Sequence, residues 1–473
     1  MSSAVFTAAL AASLSSSVVT AASASAAASA SAAASASTPA PPRNSFSERL
    51  RKHLAWQSRV LAAAAANGAP PPNTRFLLLR PGDKLTVCKA RGMGDVRHQC
   101  HKDAGRSSQR RPRRAFSAKS GAPEPHWDAV MLAGRPELTR PVPGLGNIML
   151  SFVSAAAAAV VGRRVLQVEN WTAAAASLGA PMPELLLETS GWAPHVAALQ
   201  ARGESVDTWA AHDDSSGFDD LCRADLRREP AARVWRIFSN QYFLPLLLLN
   251  AHHARPLAAM GGSGGLWGPA LRVLLRPQQR LLDAAAAYVT RAGLGRGGAR
   301  VVGIHARSPL DNAARREATL GCARTRLRAQ NASVLFLATM ARRTRDDFAG
   351  GLRRDGVRVE WYGDAVGVQG ETRAQLDAAV LDLWLLATAE ELLVSRGSTF
   401  SYVAHGLAGR AATVYGLSHN SNAGHGRLGE CARVPTAEPS FHMLGRAIGR
   451  PACRAGVANA SALPLYAASR HVY

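Results

Sequence analysis

Glu391-Leu-Leu-Val-Ser395-Arg-Gly-Ser398-Thr-Phe400-Ser-Tyr-Val-Ala-His405-Gly-Leu407 decides how the second half of the chain is read. An apolar run, Glu391–Ser395, has the length and β-branched content of a strand. Ser-Arg-Gly-Ser then breaks it, and Thr399–Leu407 has helical spacing. Ser398 stands at the N-cap position. The free amides of that first helical turn, with the Ser398 and Thr399 hydroxyls and Phe400 beside them, suit an anion. Ordinary capping is the other use of such a serine.

Outward from this junction the pattern repeats. Strand Val301–Ala306, helix Ser333–Phe348, strand Val357–Tyr362 and helix Thr372–Ala389 precede it, and strand Ala412–Tyr415 follows. Strands alternating with helices imply a parallel sheet covered on both faces. Pro309 is the one proline between 300 and 420, and this span is expected to be a nucleotide lobe. Its first strand ends in Val302-Gly-Ile-His305-Ala-Arg307. Side chains alternate along a strand, so His305 and Arg307 are expected on one face. Ligands gather at the carboxyl ends of such sheets. A guanidinium there grips two phosphate oxygens at once; a plain salt bridge or solvent contact is the alternative.

Upstream, a first lobe is expected over residues 127–299. Its clearest element is Gly144-Leu145-Gly146-Asn147, followed by an apolar helix to Val161 and a strand Val165–Val168. Glycines let a ligand approach the backbone, and a helix start favours negative charge. Ser239-Asn240-Gln241-Tyr242-Phe243-Leu244-Pro245 lies in the apolar segment Val234–Leu249. Gly261–Gly265 reads as a flexible loop without the Lys-Ser/Thr of a P-loop. Gly293-Leu-Gly295-Arg-Gly-Gly298 has dinucleotide-site spacing but precedes a strand, so it reads as a turn.

Residues 1–72 read as a disordered low-complexity tail, with a short helix Ser47–Ala66 serving as stem or linker. Residues 73–126 read as an irregular basic segment containing Arg110-Arg-Pro-Arg-Arg114, and residues 421–473 as a cysteine-bounded C-terminal segment. Residues 1–42 carry no charge, and Ala4–Ala21 is at most a weak membrane anchor; a transit peptide or plain disorder fits as well.

The 473-residue chain carries a net charge of +23, almost all from arginine. That balance favours anionic partners, but alanine, glycine and arginine are enriched throughout, as a coding bias would produce. With no recognised binding module, nucleic acid is not an expected partner. Six cysteines occur without CxxC spacing, which argues against a zinc site. Sequons at Asn170, Asn331 and Asn459 lean towards a secretory compartment. The paired carboxylates Asp213-Asp214 and Asp219-Asp220 read as solvated loop residues, and no metal ligand set is expected.

Several of these segments resemble, in order, the plant xyloglucan-type fucosyltransferases. Gly144–Asn147 with its helix and strand is similar to that family's first-lobe motif. Ser239–Pro245 is similar to its Asp-Asn-Tyr-Phe-x-Pro segment, and Val302–Arg307 to its Gly-Ile-Gln-x-Arg element. Ser398-Thr-Phe-Ser-Tyr-Val-Ala-His-Gly-Leu407 matches its Ser-Thr-Phe-Gly-Tyr-Val-Ala-Gln-Gly-Leu stretch, and Cys431–Cys453, enclosing Glu438-Pro-Ser-Phe-His442, its C-terminal segment. The resemblance covers about residues 127–455.

It implies a GT-B-like α/β fold of two facing Rossmann-like lobes, in the Golgi lumen. It also implies GDP-fucose as donor, no metal or other cofactor, a β-galactosyl glycan acceptor and inversion at the fucose carbon. Arg307, His305 and Asn240 would be the catalytic residues. Gly144, Leu145, Gly146, Asn147, Arg307, Ser398, Thr399 and Phe400 would hold the GDP-sugar.

Departures fall mainly on the acceptor side. Ile148 replaces an arginine and Asn240 an acid, which cannot then take a proton. Gly397 replaces a tryptophan, and Ser440 a cysteine, leaving Cys431 and Cys453 as mates. A degenerate homologue that binds a GDP-sugar or glycan without catalysis is the alternative reading. His405 and His442 read as structural; Asp364 and Asp382 read as solvated, with guanine or ribose contact as the alternative.

Overall fold

Phe76-Leu-Leu-Leu79, Val165–Val168 and Val234–Ser239 are apolar runs without alternation, and each forms a strand covered on both faces, as parallel sheets require. The computed structural model describes residues 45–67, 70–81, 144–171, 173–210, 217–261, 265–294, 300–307, 313–363, 373–395, 398–409, 413–417, 431–433, 437–439 and 451–454. The Ala4–Ala21 segment, the Arg110–Arg114 run, Asp213-Asp214, Gly295–Gly298, Asp364, Gly397, Ser440, His442 and the sequon at Asn459 lie outside these residues.

The first lobe comprises α1 (Phe46–Asn67), β1 (Phe76–Pro81), α2 (Leu145–Gly162), β2 (Val165–Val168), α3 (Ala193–Ala201), β3 (Ser205–Trp209), α4 (Gly217–Arg223), β4 (Val234–Ser239), α5 (Leu244–Leu248), α6 (Trp267–Leu274) and α7 (Gln279–Arg291). Its sheet is parallel, in the order β2-β1-β4-β3, with Phe76 opposite both Val165 and Val234. The helix α1, expected as a stem, packs into the core instead. Phe46 and Leu50 are fully buried. Gln57 donates to the Leu166 carbonyl and accepts from its amide, each at 3.0 Å. With β1 central in the sheet, this lobe begins upstream of Trp127. Composition hid it, because Phe76–Pro81 sits between biased segments. Asp219 and Asp220 lie in the first turn of α4, not in a loop.

The second lobe comprises β5 (Val301–His305), α8 (Ala313–Gln330), β6 (Val334–Ala338), α9 (Arg342–Arg353), β7 (Arg358–Glu360), α10 (Arg373–Ala387), β8 (Glu391–Ser395), α11 (Thr399–Ala408), β9 (Thr413–Leu417) and β10 (Cys431–Arg433). The order is β10-β9-β8-β5-β6-β7, parallel except for β10. The helix expected over Ser333–Phe348 is a strand, β6, followed by α9. A short apolar run such as Val334–Ala338 fits either state by pattern alone. Helix α8 was not expected at all. Ion pairs tie it to neighbours, Arg316–Asp347 and Arg324–Asp355 at 2.9 Å each and Arg326 to the fully buried Glu391 at 2.5 Å.

One apolar core runs through both lobes, joining Phe152, Trp267 and Leu271 of the first to Leu386, Val403 and Leu407 of the second. Helix α2 is apolar enough to span a membrane by length and composition, but it is the central helix of this core, 89% of it buried. Helices α6 and α11 meet at glycines: a Cβ on Gly268 would lie 2.9 Å from the Gly406 carbonyl, and one on Gly406 2.7 Å from the Trp267 indole nitrogen. Trp267 Nε1 donates to the Tyr402 carbonyl at 2.8 Å across the same contact. The lobes are thus joined by an apolar, close-packed contact.

Among the described residues the disulfides are Cys222–Cys453 and Cys322–Cys431, with Cα separations of 5.0 and 5.6 Å. Cys431 and Cys453, expected to pair, do not. Cys431 lies on β10 within reach of α8, and Cys453 lies against α4 of the other lobe.

Candidate functional site

The site begins at Ser395, the last residue of β8. Its hydroxyl donates to the His305 carbonyl at 2.9 Å and accepts from the Arg307 amide at 3.3 Å. Its own carbonyl accepts from the Ser398 amide at 3.1 Å. One serine therefore fixes both the turn that carries Arg307 and the turn that opens α11, on one rim of the sheet. The Arg307 side chain is exposed, with no ionic partner among the described residues. His305 is buried; its Nδ1 hydrogen-bonds with Ser401 Oγ at 2.7 Å and its ring lies 4.8 Å from that of Phe400. These contacts give His305 the work of holding the first turn of α11.

Ser398 does not cap that helix. It occupies the N-cap position with extended backbone, φ −85° and ψ 123°, yet makes no side-chain cap bond. Its hydroxyl is buried and has no hydrogen-bond partner among the described residues. A buried polar atom left unpaired costs on the order of 1–3 kcal/mol, a cost that a ligand's hydrogen bond here would offset. The amides of the first turn are likewise uncapped by side chains.

The Gly144–Asn147 element meets this tip from the other lobe. It is less a turn than a helix start: Gly144 is the N-cap, its carbonyl accepts from Asn147 at 2.8 Å, and Leu145, Gly146 and Asn147 form the first turn of α2. Gly146 lies against α11 so closely that a Cβ there would be 2.6 Å from the Phe400 amide nitrogen and 2.6 Å from Thr399 Oγ1. Two helix N-termini, both positive ends of helix dipoles, are thereby pressed together. That arrangement is unfavourable alone and favourable around an anion.

Asn240 stands apart from this group. It follows β4, and its Oδ1 accepts from Gln241 Nε2 at 3.0 Å; among the described residues no hydrogen bond joins it to Arg307, Ser398 or Thr399. Nearby, Ser154 of α2 accepts from the Phe243 and Leu244 amides at 3.1 and 3.0 Å, which fixes the start of α5. Tyr242 donates to Glu438 at 2.6 Å. Glu438 also accepts from the Trp267 amide at 2.7 Å and from that of Leu266, so the C-terminal segment caps α6 of the first lobe. Burial pushes the Glu438 carboxyl upward, against those three bonds, and pushes Tyr242 well above the usual phenol range.

Asp382, on α10, was expected to be solvated; it is half-buried. Burial pushes its carboxyl up to about 8, with the Arg345 guanidinium opposing. Arg345 donates to the Gly363 carbonyl at 3.0 Å and lies 5.8 Å from the Trp361 ring, just beyond β7. Sequence reasoning missed the weight of Asp382 because a helical position alone does not reveal depth. It missed Ser395 and Glu438 as well, although both stand inside quoted motifs. His405 is buried and pushed down to about 4, which keeps it neutral at pH 7 and agrees with a structural part. Among the described residues no group of three His, Cys, Asp or Glu is gathered that could hold a metal ion.

No family model matches the chain, and no curated protein does. Among solved structures, the chain is similar to an arginine-to-lysine variant of FUT1 from Arabidopsis thaliana in complex with GDP. The identity is 14%, 84% of each chain is covered and the TM-score is 0.54. The fucosyltransferase NodZ from Bradyrhizobium aligns over 62% of this chain and 96% of its own at 13% identity and a TM-score of 0.38, too slight a likeness to carry an argument. The Arabidopsis protein shows the fold: the two-lobed, GT-B-like α/β architecture expected from the motifs is the one this chain adopts.

Proposed function

We propose that this chain is an inverting, metal-independent fucosyltransferase that moves fucose from GDP-fucose to a β-galactosyl glycan. The observation that carries the reading is the buried Ser398 hydroxyl, unpartnered among the described residues, at an uncapped helix tip that Ser395 links to Arg307. As the bond between fucose and the β-phosphate breaks, its electron pair goes to the leaving GDP. Arg307 and the α11 amides then stabilise the growing negative charge. Donors placed in advance for such charge are typically worth about 3–4 kcal/mol each. Gly146, at the contact of the two tips, lets both helix starts face the same diphosphate. Asp382, which interacts with Arg345, would take the guanine or ribose.

The acceptor hydroxyl would attack the fucose anomeric carbon from the face opposite GDP, its oxygen forming the new bond as the bond to the diphosphate breaks and its proton passing to solvent. Asn240 orients by hydrogen bonding and cannot take the proton. The choice of GDP-fucose and of a plant cell-wall glycan rests on the ordered motifs and on the shared fold with the GDP-bound Arabidopsis protein. Two disulfides support a luminal, Golgi-type compartment.

The test is a donor screen of GDP- and UDP-sugars, scored by nucleotide release with and without EDTA. Selective release of GDP from GDP-fucose in EDTA is expected. Preference for a UDP-sugar would overturn the reading. Calorimetric GDP binding without release or transfer would select the binding homologue, which the Asn240 departure favours.

A further inference from the structure

Of the three sequons, Asn331-Ala-Ser333 stands out by where the fold puts it. Helix α8 ends at Gln330, and Asn331 takes the left-handed backbone (φ 50°) that closes it. Its amide nitrogen donates to the Arg328 carbonyl at 3.0 Å, and the Ala332 amide to that of Leu327 at 2.8 Å. The backbone is thus fixed, while the side chains of Asn331 and Ser333 are both exposed. Neither side chain has a hydrogen-bond partner among the described residues. An asparagine suits the closing position of a helix in its own right; a hydroxyl residue two places on has no part in that closure.

Asn170-Trp-Thr is different. The Asn170 carboxamide oxygen, oriented to satisfy its neighbours, accepts from Arg80 at 2.9 and 3.0 Å, and its backbone amide donates to Glu188 at 2.7 Å. Trp171, the middle residue, is buried against Phe152, ring to ring at 6.1 Å. Drawing this sequon out would break those contacts.

We propose that Asn331 is an N-glycosylation site and that Asn170 is left bare. The Asn331 amide nitrogen forms a bond to the anomeric carbon of an oligosaccharide carried on a lipid diphosphate. The carbon–oxygen bond to the diphosphate breaks and the lipid diphosphate leaves with its electron pair, while the amide loses one proton to solvent. The inference rests on the luminal part of the function proposed above, not on its chemistry. The glycan would sit where β6 begins, at the opposite end of the sheet from Arg307. The five-residue strand β6 spans about 16 Å at about 3.3 Å per residue, so the donor rim stays open.

The full chain, expressed in plant cells and purified, is treated with peptide-N-glycosidase in heavy-oxygen water and mapped by mass spectrometry. Asn331 should convert to labelled aspartate and Asn170 should not. Ser333→Ala should abolish the label and Ser333→Thr should keep it, although both leave Asn331 to close α8. GDP release should stay within twofold of the parent in both variants. An unlabelled Asn331 overturns the proposal, and alkylation of the same sample tells why. Closed disulfides mean that the chain met the lumen and the site was passed over; free thiols mean that the luminal reading fails with it. GDP release from GDP-fucose, measured separately, judges the transferase reading alone.

Discussion

On the second-lobe rim, among the described residues, Arg307 is exposed without an ionic partner, the Ser398 hydroxyl is buried without a hydrogen bond, and the α11 amides lack a side-chain cap. On the first-lobe sheet several polar groups are paired with one another. Arg236 pairs with Glu169 at 3.0 Å and Asp207 at 3.4 Å, Ser239 donates to the Ala210 carbonyl at 2.8 Å, and Asn240 turns to Gln241. Both regions lie at or near the carboxyl ends of parallel strands. Uncommitted donors cost stability unless something binds them, whereas a closed network holds a fold together and leaves little for a ligand. The second-lobe rim is therefore the part arranged for an anion. The first lobe contributes mainly the tip of α2.

The largest expected effect breaks or confirms that contrast directly. Arg307→Ala removes a guanidinium that has no ionic partner among the described residues, so melting temperature should hold while GDP release from GDP-fucose falls about 100- to 1,000-fold. A full rate in that variant, measured beside the parent, would end the assignment. Gly146→Ala comes next. The added Cβ would meet the Phe400 amide and Thr399 Oγ1 at 2.6 Å, and backbone cannot yield as a side chain can. A shift of that order at a positioned site costs roughly a hundredfold in turnover. If the rate is unchanged, the two helix tips do not act on one ligand.

The parts of this site that could be read from sequence are those that punctuation marks. Val165–Val168 and Glu391–Ser395 are strands as expected because glycine, serine or charged residues bound them. Arg307 and Ser398 were legible from the strand-end and N-cap positions. Helix α8 was not, because its apolar stripe is thin and ion pairs hold much of its surface. Nor was β1, whose pairing partners lie far along the chain. Disulfide connectivity cannot be deduced from spacing, and the elimination that joined Cys431 to Cys453 failed for that reason. The contact of Gly146 with Thr399 joins residues from different lobes, which no local pattern encodes.

Asp382→Asn should have a smaller effect, and one with a sign that depends on pH. The Asp382 carboxyl is raised to about 8, so between the unfolded-state value and 8 the folded chain holds a proton that the unfolded chain has released. Stability contributed by this residue therefore falls as pH rises through that window and levels above 8. The asparagine variant should melt higher than the parent at pH 8 and differ little near pH 4. If the ionised carboxylate receives guanine N–H groups, parent affinity for GDP should rise from pH 7 to 9, and the variant should lose that rise along with about tenfold in affinity. A flat parent profile by calorimetry would remove Asp382 from the donor site and shorten the rim to Arg307 and the helix tips.

The smallest effect is expected where the first lobe has already satisfied itself. Asn240 accepts from Gln241 and, among the described residues, hydrogen-bonds to none of the donor-site residues. Asn240→Ala should alter GDP release from GDP-fucose by less than about threefold, because no hydrogen bond to the charged group is lost. Transfer to a β-galactoside is the more demanding readout, since that is where an orienting amide would act. A fall in transfer with unchanged GDP release would place Asn240 on the acceptor side and extend the site into the first lobe. A fall in both, comparable to that of Arg307→Ala, would break the division between a ligand-facing rim and a self-satisfied one.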